Sequence, residues 1–365
     1  MPRRRPLSPL ERLADALPKR WPARKALGLV GLGAALVYGG AVAYGGAVAY
    51  VVREMRMYPP LPHEAIFNDP ALDRLYGLNG RRTPSDFGFP RFDSLRFTSR
   101  PDGNRIGGWL VHPRDSSLKR FDEVVVFVHG HRSNRVKLLR FLPLLDQSGL
   151  SATHAAFLPD LRNSGTSERA PTDLGLQFAD DLASSLEVLA ERYGTRRVTI
   201  YAFSMGAMAT AWLLAAPDLQ ARLNRAGIVV ERAVLESPLA NAPGVARRRL
   251  NAEGVPGFVA AGALAGLSAI SGGDTGRLRL GPLLAETTVP VLIVQGTGDT
   301  VTPADLLDAE MGYMGANVRR VTLDGGAHVA LLNDPRHEAA YTDAVTRFLQ
   351  GDNAVGQPAS TKPKP

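Results

Sequence analysis

From Ala26 to Val52 the chain runs 27 residues without a charged side chain. As an α-helix this run would be about 40 Å long, against a hydrocarbon core of about 30 Å. Beyond Pro90 the apolar positions regroup into short runs of strand length. Ser94-Leu95-Arg96-Phe97-Thr98 alternates, Asp102-Gly103 is a turn signal, and Ile106 to Val111 is a return strand, so a hairpin is predicted. Glu123 to Val128 reads E-V-V-V-F-V, continuous as a strand covered on both faces must be. Further strands are predicted at Ala155–Leu158, Arg197–Tyr201, Ala233–Leu235, Val291–Val294 and Arg320–Leu323. An amphipathic helix is predicted at Phe178–Tyr193, a helix built of helix formers at Ala207–Ala216, and a closing helix at His337–Leu349. A hairpin followed by alternating strands and helices predicts an α/β layer fold with a mostly parallel sheet flanked by helices.

Segments outside this alternation set the expected organisation. Residues 1–25 form a basic tail, 26–52 a membrane anchor or signal-peptide core, and 53–90 a stalk rich in Pro, Arg and Asn. The body runs over 91–350, and Gly351 to Pro365, rich in Pro, Lys and Ser, is expected to be disordered. Ala240 to Glu286 interrupts the alternation between the sixth and seventh strands. It is Gly/Ala-rich and carries Arg247-Arg248-Arg249, and it reads equally as a small lid or as helices packed on the sheet.

The net charge of +8 suggests a polyanion partner until it is mapped. Residues 1–56 hold ten Lys/Arg and three Asp/Glu, and the rest of the chain holds 33 and 32. The body therefore lacks the excess charge that nucleic-acid binding needs. Eight Lys/Arg precede the apolar run and two, Arg53 and Arg56, follow it closely. The positive-inside rule then puts the N-terminus in the cytoplasm and the body outside. Two A-x-A sites, Ala41-Val42-Ala43 and Ala47-Val48-Ala49, support the rival reading of a secreted protein cleaved from its signal peptide. Both readings export the body. Cysteine is absent, so disulfides, thiolate metal sites and a cysteine nucleophile are excluded.

Ligands of open α/β sheets bind outside the carboxyl ends of the strands. Strand Arg197–Tyr201 leads into Ala202-Phe203-Ser204-Met205-Gly206 and then a run of helix formers. A Ser between small residues at a sharp strand-to-helix turn has the form of a nucleophile elbow. The usual pattern is G-x-S-x-G, and Ala202 departs from it by one methyl. Strand Glu123–Val128 ends in His129-Gly130-His131, a tight turn that can leave main-chain N–H groups facing the site. The N–H groups of His131 and Met205 are the candidate oxyanion donors. Asp299 follows the strand Val291–Val294 in a Gly-bracketed turn, and His328 follows Arg320–Leu323 behind Gly325-Gly326. The order Ser204, Asp299, His328, each after its expected strand, is that of one of several unrelated triad arrangements.

With these motifs the sequence resembles the α/β-hydrolase family over roughly residues 92–350. The match includes VHGHRSNR at 128–135, PDLRNSGTS at 159–167 and GTGDTVTP at 296–303. It is most similar to the serine aminopeptidase and monoacylglycerol-lipase-like branch, whose bacterial members include membrane-tethered forms. The resemblance implies Ser204 as nucleophile, His328 as base and Asp299 as its orienter. The family covers many chemistries and does not supply the substrate; a small-molecule or lipid-like ester or thioester is expected, with peptides behind. Acyl transfer on the same fold, or a scaffold without catalysis, are the alternatives. No spacing for a metal, nucleotide or haem is present, so no cofactor is expected. PDLRNSGTS lacks a Gly-rich phosphate loop and reads as structural.

Overall fold

A computed structural model of the chain describes residues 23–115, 117 and 120–359. Nearly all of the expected basic tail and the last residues, 360–365, lie outside them. The chain divides into two units, Met1–Tyr50 and Val51–Pro365. The first contains most of a 34-residue helix, α1 (Ala23–Arg56). Its Leu32–Arg56 stretch is long and apolar enough to cross a membrane, a test that a signal sequence also passes.

The second unit is built on one sheet. Its strands are β1 (Phe92–Thr98), β2 (Arg105–Val111), β3 (Glu123–Val128), β4 (Ala155–Asp160), β5 (Arg197–Phe203), β6 (Val229–Glu236), β7 (Val291–Gly296), β8 (Val318–Leu323) and β9 (Gln357–Pro358). They lie in the order β1-β2-β4-β3-β5-β6-β7-β8-β9. The hairpin β1–β2 is antiparallel and joins β4 antiparallel, while β4-β3-β5-β6-β7-β8 is parallel throughout. The helices used below are α2 (Leu176–Tyr193), α3 (Met205–Ala215), α4 (Ala242–Ala252), α5 (Gly257–Ile270) and α6 (Glu338–Leu349).

The continuous apolar strands make two cores, one on each face, because successive side chains alternate. Val124, Val126 and Val128 of β3 join Ile200 and Ala202 of β5 against α2 and α3. Val125 and Phe127 join Tyr201 and Phe203 against α6 and the 3₁₀ segment Arg135–Phe141. Fully burying one such aliphatic side chain contributes about 1.5–3 kcal/mol.

Two expectations fail. The segment 53–90, expected as a stalk leading onto the domain surface, is instead packed into the body. It forms the short helices His63–Phe67 and Pro70–Leu75 and buries Tyr58, Ile66, Leu78, Phe87 and Phe89. These apolar residues follow no period of two or of 3.6, so the pattern conceals their burial. The tail from Gly351 is ordered through Ala359. Gln357 and Pro358 pair antiparallel with Arg320 and Arg319 at the edge of β8, and Val355 and Ala359 are buried. Pro358 fits there because an edge strand tolerates a residue without an N–H.

The insertion folds as α4 and α5, followed by a 3₁₀ turn (Asp274–Arg277) and a short helix (Leu280–Leu284). The buried residues of α5, Val259, Ala260, Ala263 and Leu267, belong to neither core, whereas Ala242 and Val245 of α4 belong to the first. PDLRNSGTS is a structural hub. Asp160 accepts from the backbone N–H groups of Arg135 (2.8 Å) and Thr166 (2.9 Å) and lies 3.0 Å from His63 Nε2. Despite complete burial, these donors and the Arg135 guanidinium hold its carboxyl down at about 2. Arg162 bridges Asp102 (2.6 Å) and Asp181 (2.7 Å).

Candidate active site

Ser204 stands at the joint between β5 and α3 with φ 55° and ψ −122°. A left-handed φ at a residue with a Cβ is strained and persists only where its surroundings over-determine it. Here the Ser204 N–H donates to the Glu236 carbonyl (3.0 Å), and the Ser204 carbonyl accepts from the Leu239 N–H (3.2 Å). Gly206 lets the turn close. A Cβ there would sit 2.5 Å from the His129 carbonyl oxygen and 2.8 Å from that of Val128. Ala202, the departure from the usual glycine, is fully buried in the first core, so its extra methyl is packed and not in conflict.

The loops after β7 and β8 bring the other two candidates to this serine. They pack backbone to backbone, since a Cβ on Gly296 would fall 2.1 Å from the Gly326 carbonyl oxygen. Thr297 fastens them, with its hydroxyl donating to Asp324 Oδ1 (2.8 Å) and accepting from the Gly325 N–H (2.7 Å). His328 Nδ1 then lies 2.7 Å from Asp299 Oδ2, and His328 Nε2 lies 3.2 Å from Ser204 Oγ. The three residues separated by up to 124 positions form one chain of hydrogen bonds.

Asp299 is held from both sides. Its Oδ1 accepts from the N–H groups of Val301 (2.9 Å) and Thr302 (2.8 Å), and the Thr302 hydroxyl lies 2.8 Å from Oδ2. Burial alone would raise this carboxyl, but His328 and the Thr302 donors hold it below the usual range. It therefore stays a carboxylate that can fix the imidazole with Nδ1 protonated and Nε2 free to accept from Ser204. Thr302 was not singled out from the sequence. Its signal was there, since Asp-x-x-Thr is a local side-chain-to-backbone turn.

Gly130 presses the loop after β3 onto the serine, where a Cβ would lie 2.8 Å from Ser204 Cβ. His129 secures this turn from behind. Its Nε2 accepts from the Leu161 N–H (2.9 Å), which leaves Nδ1 to donate to the Gly130 carbonyl (2.9 Å). Complete burial lowers His129 to about 4, so the neutral tautomer persists. His131 follows, and burial lowers its imidazole to about 3. Neither the His131 nor the Met205 backbone N–H has a backbone acceptor among the described residues. Met205 is the first residue of α3, so its N–H belongs to the unpaired first turn, where a negative charge is favoured.

A second carboxylate, Glu236, ends β6 beside the site. Its Oε2 accepts from the hydroxyls of Tyr201 (2.9 Å) and Tyr341 (2.6 Å). Burial pushes it up to about 7, against the pull of Arg140. No cluster of three or more His, Asp or Glu able to hold a metal occurs among the described residues.

Residues 125–340 match the model of the alpha/beta hydrolase family. No curated protein matches the sequence. Among solved structures, the chain is similar to the Pyrococcus furiosus esterase Pf2001, with a TM-score of 0.54 at 18% identity, covering 73% of this chain and 93% of that one. It is also similar to Est1E from Butyrivibrio proteoclasticus with ferulic acid bound, with a TM-score of 0.52 at 18% identity, covering 71% and 99%. At such identities the likeness establishes the α/β-hydrolase fold, with its mostly parallel sheet flanked by helices.

Proposed function

This chain belongs to the α/β hydrolase family, and on that premise we propose that it is a membrane-anchored serine hydrolase of carboxylic esters or thioesters. The observation that carries the reading is His328 bridging Asp299 and Ser204 at 2.7 and 3.2 Å. Ser204 Oγ attacks the acyl carbon as its proton passes to His328 Nε2. The carbonyl oxygen becomes an oxyanion facing the N–H groups of His131 and Met205. Asp299 stabilises the imidazolium without taking its proton. Collapse of the tetrahedral adduct expels the alcohol or thiol, which leaves with the proton from His328. Water, deprotonated by His328, then cleaves the acyl-enzyme and regenerates Ser204.

The anchor reading rests on the 27-residue uncharged run and the Lys/Arg excess before it. A catalytic unit held at the outer face of a membrane meets amphiphilic esters where they are concentrated. The test is a panel of p-nitrophenyl esters of graded acyl length, run beside a fluorophosphonate probe on the full chain and on Ser204→Ala. The wild type should hydrolyse part of the panel and take the label at Ser204. The variant should lose the label and about 10⁴-fold or more in kcat, because triad members act as a unit. Label that persists in Ser204→Ala, or maps to Ser164 or Ser237, sinks the assignment.

A further inference from the structure

The segment that leaves α1 does not simply connect it to the catalytic body. Arg56-Met57-Tyr58-Pro59-Pro60-Leu61 runs along the loops that follow β3 and β4, and its carbonyls are taken up in turn. The Arg56 carbonyl accepts from the Thr172 N–H (3.1 Å) and that of Met57 from Arg169 Nη2 (2.8 Å). The Tyr58 carbonyl accepts from Asn163 Nδ2 (2.6 Å), and that of Leu61 from Asn134 Nδ2 (2.9 Å) and the Gly165 N–H (3.3 Å). Two prolines remove donors from the segment, so it is held chiefly as an acceptor by donors of the catalytic loops.

Two contacts carry this segment to the two candidate oxyanion donors. The ring of Tyr58 meets the ring of His131 edge-on, with centroids 3.9 Å apart. Tyr58 is fully buried, so that contact is backed by packed protein. On the other side the Arg56 guanidinium pairs with Asp173, with Nη2 3.2 Å from Oδ2. Asp173, Leu174 and Gly175 form a turn with three successive positive φ angles, 37°, 56° and 105°. That turn lies against Met205, since a Cβ on Gly175 would fall 3.1 Å from Met205 Cγ and 3.2 Å from its carbonyl oxygen.

Resting on the triad reading above, we infer that Arg56–Leu61 is a strap that positions the oxyanion hole, with Tyr58 backing His131 and Arg56 acting through Asp173 on Met205. The physical reason is that an oxyanion donor is useful only when it is already aimed at the place where charge develops. A displacement near 1 Å can cost about 10²-fold in rate. Neither Tyr58 nor Arg56 touches the reacting atoms. Both act through the residues whose N–H groups do. The chain that leaves the anchor is thereby part of what makes the site competent.

The test uses the full chain in detergent micelles with Tyr58→Ala, Tyr58→Phe and the milder Asp173→Asn. Wild-type labelling at Ser204 by a fluorophosphonate is the control. Tyr58→Ala should lower kcat by about 10²-fold with KM nearly unchanged, and weaken a trifluoromethyl-ketone transition-state analogue in the same proportion. Tyr58→Phe should restore both, because the ring contact with His131 does not need the hydroxyl. Asp173→Asn removes the charge that pairs with Arg56, and an amide can still accept from Gln177 Nε2 through its oxygen (2.7 Å in the wild type), so it should lower kcat and analogue affinity together by a smaller factor. It stands in if Tyr58→Ala does not fold. A labelled wild type beside variants that lose thermal stability but keep kcat and analogue affinity overturns the strap alone. A wild type that hydrolyses esters without label at Ser204 overturns the triad reading beneath it.

Discussion

Tyr341 donates its hydroxyl hydrogen to Oε2 of Glu236 across 2.6 Å. That bond, with the one from Tyr201 to the same oxygen, commits the Glu236 carboxyl to two hydroxyl donors. The imidazole is left to Asp299, 2.7 Å from Nδ1.

The two carboxylates should therefore respond differently to amidation. Asp299→Asn favours the wrong imidazole tautomer and should cost about 10⁴-fold in kcat. Glu236→Gln should cost less than about tenfold, since the carboxyl is hydrogen-bonded to Tyr201 and Tyr341 and not to the imidazole. Steady-state kinetics on one ester decide the matter, and the reverse ranking would reassign the acid.

Glu236 should instead show itself in stability. Its carboxyl is raised to about 7 in the folded chain, from an ordinary value of 4.5. Between those pH values the native state holds a proton that the unfolded chain releases, so this residue's contribution falls as pH rises. The loss should be complete above pH 7 and on the order of 3 kcal/mol. Gln cannot titrate. Denaturant melts at pH 4.5 and pH 8 should show Glu236→Gln gaining on the wild type at the higher pH. An equal difference at both pH values would refute the buried-acid account.

The small residues at the elbow should separate into essential and adaptable. In Gly206→Ala the new methyl meets backbone oxygens 2.5 and 2.8 Å away, and backbone cannot step aside as a side chain can. A loss of about 3 kcal/mol with loss of activity is expected. Ala202→Gly removes a buried methyl from a strand and should cost about 1 kcal/mol with kcat within a few-fold of wild type. Melting temperatures and ester kinetics test both, and wild-type behaviour of Gly206→Ala would contradict the close approach.

The N-terminal helix should behave as an anchor. Eight Lys/Arg lie before the uncharged run and two shortly after. Fractionation with N-terminal sequencing should find the full chain in a carbonate-washed membrane pellet, its body open to protease added to spheroplasts. A soluble chain beginning at Tyr44 or Tyr50 would mean signal cleavage. A body protected in intact spheroplasts would place the enzyme inside the cell.

Much of the fold was legible because its core strands are covered on both faces. Val124 to Val128 must then be apolar at every position, and that run cannot be mistaken for a solvent-facing segment. Ser204, Asp299 and His328 were legible for a related reason. Each follows a recognisable strand, and in such sheets the strand ends are where chemistry gathers. The order of the strands along the chain, with a glycine-bearing turn after each, was enough to pick out the three candidates.

What the sequence by itself determined about this protein is local: which segments are strands, where they end, and which side chain stands at each end. Tertiary structure alone decided the rest. It decided that Gly296 and Gly326 close two loops onto each other, and that Tyr341 takes Glu236 out of contention. It also decided that Met57 to Leu61, in a segment with no periodicity, packs against the loops that follow β3 and β4. The physical reason is that periodicity records a side chain's relation to its own strand or helix. A contact such as Tyr58 on His131 depends on how two loops meet in space, and neither loop carries a repeat that could announce it.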